Sequence, residues 1–375
     1  MELSNIQYYV LWKENNPMLI GYLDMFYALL KSRVELLVQE KILETHLLEL
    51  CQPASRQFIM DPDTSSIIIK LYNDFQNKIH TTQESQDFAQ FLVKEFHIFK
   101  NADTQDLLMN MWAKIGDTNI KLTTIDGNPF HDTSSHPDHK KNNVWVGWWE
   151  KTQGEWLEIY KKTFDLLKVV DPWFYFELNF MIKKIIPLWT AKGVHNSASY
   201  KECIGHLYMG YTIDSDFPEL NNLEAIIHES SHNKLNLIMQ FDPVILSDYQ
   251  EIFYSPYRPD ARHIHGIYIW IHAFVPVIYV MMKSILNESF TFSPFWKEKV
   301  AAYYLKNKIA LKVLERYWRF TQLGNEILDE IRFLMQETDI LFRRLQYSQQ
   351  ELIQINGAIK AHFTKVNQNY PYIKY

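Results

Sequence analysis

The sequence predicts a mainly α-helical chain of the α+β class, in which a small strand or hairpin element lies beside one helix. Only 11 glycines occur among the 375 residues, and many stretches carry apolar residues at helical spacing. Few glycines and long apolar stretches favour helices over a turn-rich sheet protein. The exception is Tyr200–Thr212, which contains several tyrosines and β-branched residues and is therefore predicted to form the strand or hairpin.

The helical pattern divides the chain into three regions. These are an N-terminal helical region over 1–115, a loop-rich connection over 116–153 with Asp-Gly and Asn-Pro turn signals, and a domain over 154–375. Helices are predicted over 19–50, 65–80, 84–98, 104–115, 154–170, 172–188, 263–287, 295–321 and 323–357. The proline-containing segment 243–262 is predicted to be irregular.

Composition excludes several classes of protein. A net charge of −6 and a pI near 6.2 argue against a general nucleic-acid binder. Two cysteines, Cys51 and Cys203, fit a reducing compartment and provide no cysteine-based metal site. The N-terminus lacks a secretory signal pattern, and the apolar run Ile267–Met282 is shorter than the roughly 20 residues needed to cross a bilayer. We therefore expect a cytoplasmic protein with no membrane partner.

The candidate metal-binding motif is HESSH, which matches the pattern HExxH at residues 228–232. His228 and His232 lie one helical turn apart, a spacing that lets both imidazoles reach one metal ion. Glu229 would act as the general base on metal-bound water in a zinc protease. Asn221 lies three residues before Glu224 and is predicted to cap this helix. The motif favours a metallopeptidase-like fold.

Two histidines need at least one further ligand. The extended motif HExxHxxGxxH is excluded, because Leu235 and Ile238 replace its glycine and its last histidine. Glu251 follows His232 at a spacing that one protease class uses, but its surroundings are predicted to be irregular. His265 and His272 lie in the next predicted helix, about 10 Å apart along its axis, so both can hardly bind one ion. His272 is the first choice, since a histidine in so apolar a run needs a partner. His265 and Glu251 remain alternatives.

The wider sequence resembles a family. HESSHNKLNLIMQFDP followed by YSPYRPDARHIHG is similar to the HExxH proteins that modify ribosomally made peptide natural products. Tyr257 and His263 depart from the family pattern, which has Trp and Pro there, and the resemblance covers about residues 195–285. The matching residues are His228, Glu229, His232, Lys234, Leu235, Asp242, Pro243, Tyr254, Ser255, Pro256, Arg258, Asp260, Arg262, Gly266 and Ala273.

The resemblance implies an iron(II)- and 2-oxoglutarate-dependent dioxygenase, an oxidoreductase that hydroxylates the β-carbon of a side chain in a ribosomal precursor peptide. Imidazole ligands with open coordination positions suit Fe(II) as well as Zn(II). Arg258 and Arg262 are predicted to bind the far carboxylate of 2-oxoglutarate, because a guanidinium pairs bidentately with a carboxylate. Ion pairs of these arginines with Asp260 or Glu251 are the simpler interpretation.

Two other functions remain open. The first is a zinc metalloprotease with Glu229 as general base and Glu251 as third ligand. The second is a helical peptide-binding protein whose metal is structural.

Two further segments carry weaker predictions. His195 and His206 flank a candidate edge strand, and the segment around His206–Tyr211 is expected to line a peptide groove, because such a strand can hold an extended peptide by main-chain pairing. The histidines of HDTSSHPDH, residues 131–139, are predicted to lie in a polar loop or lid; a second metal site is the alternative.

Overall fold

The computed structural model describes residues 17–100, 112–130, 145–148, 152–189, 197–210, 218–247, 250–287, 294–317 and 319–374. These residues are mainly helical and include a small mixed sheet, which confirms the predicted class at that level. The chain divides into two compact units. One comprises Val10–Leu166 and Trp173–Ile238, and the other comprises Met1–Tyr9, Leu167–Pro172 and Met239–Tyr375. The HExxH helix therefore belongs to the same unit as the N-terminal helices.

The first unit begins with α1 (Pro17–Gln39), α2 (Arg56–Ile59), α3 (Pro62–Gln76) and α4 (Gln83–Lys100), with 3-10 turns at Thr45–Cys51 and Pro53–Ser55. The single helix predicted over 19–50 is wrong beyond Gln39, because Lys41 adopts a left-handed backbone with φ of 60°. Helix α3 begins where Asp61 accepts a hydrogen bond from the amide of Asp63 and Pro62 opens the first turn.

The mixed sheet contains β1 (Trp112–Lys114), β2 (Lys121–Thr123), β3 (Trp145–Val146), β4 (Lys184–Trp189), β5 (Ser197–Ala198) and β6 (His206–Gly210). Its order is β1-β2-β4-β6-β5, and β3 pairs with the far end of β4. Strand β6 runs parallel to β4 and antiparallel to β5. Strand β5, which lies between His195 and His206 in the chain, ends the described sheet, whereas all residues of β6 are buried.

Between β3 and β4 the chain forms α5 (Gln153–Val170) and α6 (Pro172–Met181). The helix predicted over 172–188 is wrong beyond Met181, because β4 occupies the remainder of that range. The β-branched pair Ile185 and Ile186 favours a strand, and Pro187 cannot continue a helix without losing a hydrogen bond.

The HExxH motif lies on α7 (Pro218–Ile238), which packs against β6 and α1. The helix begins at Pro218, a residue type favoured in a first turn, so the predicted cap at Asn221 lies inside the helix and is wrong. Most side chains of α7 from Leu220 onward are buried. The motif is therefore held on a rigid, largely buried element.

The second unit contains α8 (Ile264–Leu286), α9 (Pro294–Tyr317), α10 (Gln322–Arg344) and α11 (Gln349–Asn369). Helix α8 packs against α9 and α10. It is long and apolar enough to cross a membrane by length and composition, and 72% of its most apolar window is buried within the protein. The helix predicted over 323–357 is in fact two helices, because Gln346 has a φ of 51° and Ser348 begins α11 with a capping box to Glu351.

Candidate metal centre and its surroundings

Helix α7 brings the two motif histidines together. The Nε2 atoms of His228 and His232 lie 2.9 Å apart, and the ring planes are nearly perpendicular at 86°. Burial lowers the pKa of His232 to about 4, so its imidazole is neutral at pH 7, which is the form that binds metals. Two Nε2 atoms that converge in this way can both bind an ion at about 2.0–2.1 Å. The donor set therefore fits a metal ion.

Glu229, the residue after His228, is buried. Its Oε1 accepts a hydrogen bond from Ser197 Oγ and its Oε2 accepts one from Ser199 Oγ, both at 2.8 Å. Burial raises the pKa of Glu229 to about 7, against the opposing effect of the two hydroxyls. Both carboxylate oxygens are thus engaged with the segment that contains β5. The structure links the motif glutamate to the last strand of the described sheet.

Asn233, the residue after His232, attaches α7 to the start of β6. Its Oδ1 accepts a hydrogen bond from the amide of Gly205 at 2.6 Å, and its Nδ2 donates one to the carbonyl of His206 at 3.1 Å. Gly205 has a φ of +90°, and a Cβ there would lie 3.1 Å from the carbonyl oxygen of Met181. The turn needs glycine, and it fixes the helix beside the second histidine.

Lys234 makes a buried ion pair. Its Nζ lies 3.2 Å from Oε1 and 3.4 Å from Oε2 of Glu177 on α6. The Lys234 side chain is 1% exposed and that of Glu177 is 8% exposed. A lysine buried to this extent requires a carboxylate partner. The pair joins α7 to α6 two residues after His232.

The other predicted site residues lie in the second unit. His265 and His272 are both buried on α8. Glu251 is exposed in the segment before α8 and pairs with Lys374 near the end of the chain. Of the three candidates for third ligand, Glu251 is the one with an exposed side chain.

Arg258 and Arg262 lie on either side of one carboxylate, Asp260. Arg258 Nε is 3.5 Å from Asp260 Oδ1, and Arg262 Nε is 2.9 Å from Oδ2. The predicted ion pairs with Asp260 are therefore present. One carboxylate neutralises one of the two guanidinium groups, so the cluster keeps a net positive charge. Both Nε atoms are buried and lack a hydrogen-bond partner of acceptable geometry among the described residues. The Arg258 guanidinium also lies 5.8 Å from the ring centroid of Trp270.

Sequence reasoning missed a second group of potential ligands in the first unit. Candidate ligand atoms of Asp63, Asp126 and His206 all lie within 4.8 Å of one another. The buried Lys184 ammonium pairs with Asp63, and Tyr208 donates a hydrogen bond of 2.7 Å to Asp126. Lys184 already supplies a positive charge, so the group is a hydrogen-bonded ionic network without requiring a metal. No spacing in the sequence signals it, because the three residues come from distant segments.

The polar loop over 131–139 lies outside the described residues, so its predicted role stays a prediction. No protein-family model matches the sequence, and no curated protein matches it significantly. The resemblance of the HExxH and arginine segments to peptide-modification proteins therefore also stays a prediction.

Proposed function

We propose that the protein is an iron(II)- and 2-oxoglutarate-dependent hydroxylase that acts on a side-chain β-carbon of a ribosomally synthesised precursor peptide. His228 and His232 would bind the metal. His272 is the proposed third ligand, and His265 and Glu251 are the alternatives. Bound iron, with 2-oxoglutarate and O₂, supplies the oxidising power that converts a C–H bond to C–OH while 2-oxoglutarate becomes succinate and CO₂.

The observation that carries this proposal is the charge of the arginine cluster. A dicarboxylate cosubstrate needs a cation for its far carboxylate, and Arg258 and Arg262 both pair with one carboxylate, Asp260, among the residues that the structure describes. Their buried Nε atoms still have hydrogen-bonding capacity among the described residues. A metalloprotease has no dicarboxylate cosubstrate for such a cluster to bind.

A zinc metalloprotease is the second candidate, with Glu229 as base and Glu251 as third ligand. Two observations favour the hydroxylase over it. Both oxygens of Glu229 already accept hydrogen bonds from serines, and Glu251 is exposed and paired with Lys374. In the hydroxylase, Glu229 and its serines would hold α7 against the strand beside the metal and would transfer no proton to water.

Binding and product mass together test the proposal. Iron-loaded protein under anaerobic conditions should bind 2-oxoglutarate in calorimetry, and succinate should bind less well because it lacks the keto group. With O₂ and a randomised peptide library, product peptides should gain one oxygen atom in proportion to the succinate formed. Cleaved peptides carrying added water, independent of 2-oxoglutarate, would establish the protease instead.

A further inference from the structure

The C-terminal helix α11 presents one histidine to the segment that carries both arginines. We call Glu251–Arg262 the arginine loop. The Nδ1 atom of His362 lies 2.9 Å from the hydroxyl of Tyr254. The backbone of Arg258 also forms a hydrogen bond with the His362 ring. His362 thus contacts both the start of the loop and one of its arginines.

The arginine loop has little regular structure of its own. Phe253 exchanges two backbone hydrogen bonds with Arg262, at 2.7 and 3.0 Å, which closes the loop on itself. The end of the chain supplies the next contacts, since the amide of Tyr254 donates to the carbonyl of Lys374 at 2.9 Å and the amide of Lys374 donates to Ile252 at 3.3 Å. The loop is therefore held from outside, by residues more than a hundred positions away.

Apolar packing completes this attachment. Tyr254 is 2% exposed and forms a buried cluster with Val366 and Ile373. Its ring meets that of Phe363 edge-to-face, with centroids 4.9 Å apart. The phenol is thus fixed by a rigid helix, and its hydroxyl is directed to His362.

We infer that His362 is a positioning residue that fixes the arginine loop through Tyr254 and Arg258, with α11 as its support. An irregular loop of this length loses considerable conformational entropy when its arginines are fixed for ligand binding. Contacts already made in the absence of ligand remove part of that cost from binding. The role of the loop in binding 2-oxoglutarate rests on the proposed function, whereas the attachment of the loop to α11 does not.

Four variants test the inference. His362→Leu removes both ring hydrogen bonds, and Tyr254→Phe removes one while it keeps the packed ring. His362→Gln is the rescue variant, because an amide can accept and donate as the neutral imidazole does. Tyr347→Phe is the matched control: it deletes a 2.7 Å hydrogen bond to the Lys297 carbonyl, just before α11 and away from the loop.

Two measurements are made on each variant. Hydrogen–deuterium exchange should show faster exchange of the amides over 251–262 in His362→Leu and Tyr254→Phe, with no change in α7. Calorimetry on iron-loaded protein should show about five- to tenfold weaker binding of 2-oxoglutarate, the effect of one lost hydrogen bond. Iron content should be unchanged, His362→Gln should recover part of both effects, and Tyr347→Phe should show neither.

The outcomes separate the two hypotheses. If wild-type protein does not bind 2-oxoglutarate, the proposed function fails, and loop exchange alone then decides whether His362 positions the loop. Suppose instead that wild-type protein binds 2-oxoglutarate. If the amides over 251–262 then exchange no faster in His362→Leu than in Tyr347→Phe, the positioning role is wrong. Faster exchange with unchanged 2-oxoglutarate binding would also overturn it, since His362 would then support the loop without positioning the arginines.

Discussion

The buried ion pair between Lys234 and Glu177 allows a quantitative prediction about the HExxH helix. Lys234→Met keeps the apolar stem in α7 and removes the ammonium group that lies 3.2 Å from Glu177 Oε1. Because Glu177 is only 8% exposed, its carboxylate is left in a poorly solvated position. We expect the free energy of unfolding to fall by about 3–5 kcal/mol, the usual cost of removing one partner of a buried pair.

The same geometry predicts how the loss can be reversed. Replacing both partners, Lys234→Met with Glu177→Leu, removes the uncompensated charge and should restore most of the lost stability. Lower pH should also raise the free energy of unfolding of the Lys234→Met variant. With no ammonium partner, the folded-state pKa of Glu177 would rise above its unfolded value, so stability should increase as the pH falls through that folded pKa.

Urea unfolding followed by tryptophan fluorescence measures these effects, with metal content as a second readout. Lys161→Met is the matched control, because Lys161 pairs with Asp165 at 2.7 Å on α5, where both side chains are more than half exposed. That variant should change the midpoint little. The reasoning is refuted if Lys234→Met costs less than about 1 kcal/mol, or if the double variant is less stable than either single variant.

Three further predictions concern the site. His232→Ala should lose bound metal in elemental analysis, since it removes one of the two converging Nε2 atoms, and retention of a full equivalent would contradict the site. In metal-free protein, Glu229→Gln should be more stable than wild type by about 3 kcal/mol above pH 8 and show no advantage below pH 4.5. The carboxyl has a folded pKa of about 7 against an ordinary 4.5, so the wild type loses stability across that interval; a pH-independent difference would exclude this cause. Arg262→Leu should weaken 2-oxoglutarate binding about ten- to a hundredfold with iron content unchanged, and Arg262→Lys should recover only part of it; equal affinity in all three proteins would remove the arginine cluster from the proposed site.

The spacing of apolar residues predicted helices well where a single helix spans the whole periodic stretch. The one-turn spacing of His228 and His232 predicted that both imidazoles lie on one face of the helix, and their Nε2 atoms are 2.9 Å apart. Helix ends were predicted less well. The helices that end at Gln39 and Arg344 are followed by Lys41 and Gln346, which have a left-handed backbone conformation. That conformation is usually adopted by glycine or asparagine, so these two residue types did not predict it.

The sheet could not be predicted from local pattern because its order depends on partners distant in the chain. The composition of Tyr200–Thr212 predicts a strand or hairpin, but it does not predict that β4 and β5 pair with the two sides of β6. The two serines that donate hydrogen bonds to Glu229 could not be predicted for the same reason. Ser197 and Ser199 lie some thirty residues before the glutamate, and β5, which contains Ser197, pairs antiparallel with β6, the strand on which the HExxH helix packs.

Three of the residues that carry the resemblance beyond HExxH, namely Lys234, Asp242 and Tyr254, have a common physical role, which the spacing of the sequence does not reveal. Lys234 pairs with Glu177, and Tyr254 bonds to His362. Asp242 accepts hydrogen bonds from the Val244 amide at 2.6 Å and the Thr321 hydroxyl at 2.7 Å. None of these three side chains is a proposed metal ligand or cosubstrate contact.

Each of the three attaches a segment of the motif to an element elsewhere in its own unit. Lys234 attaches the HExxH helix, Asp242 attaches the turn at Val244 and Tyr254 attaches the arginine loop. A metal ion and a dicarboxylate require only a few ligating groups, but those groups must be held to within a fraction of an ångström. A sequence pattern can therefore be specific for a site even where several of its residues support the site without touching the ligand. On this argument, exchanging Glu177 or His362 should affect the site as much as exchanging its motif partner, although neither belongs to the motif.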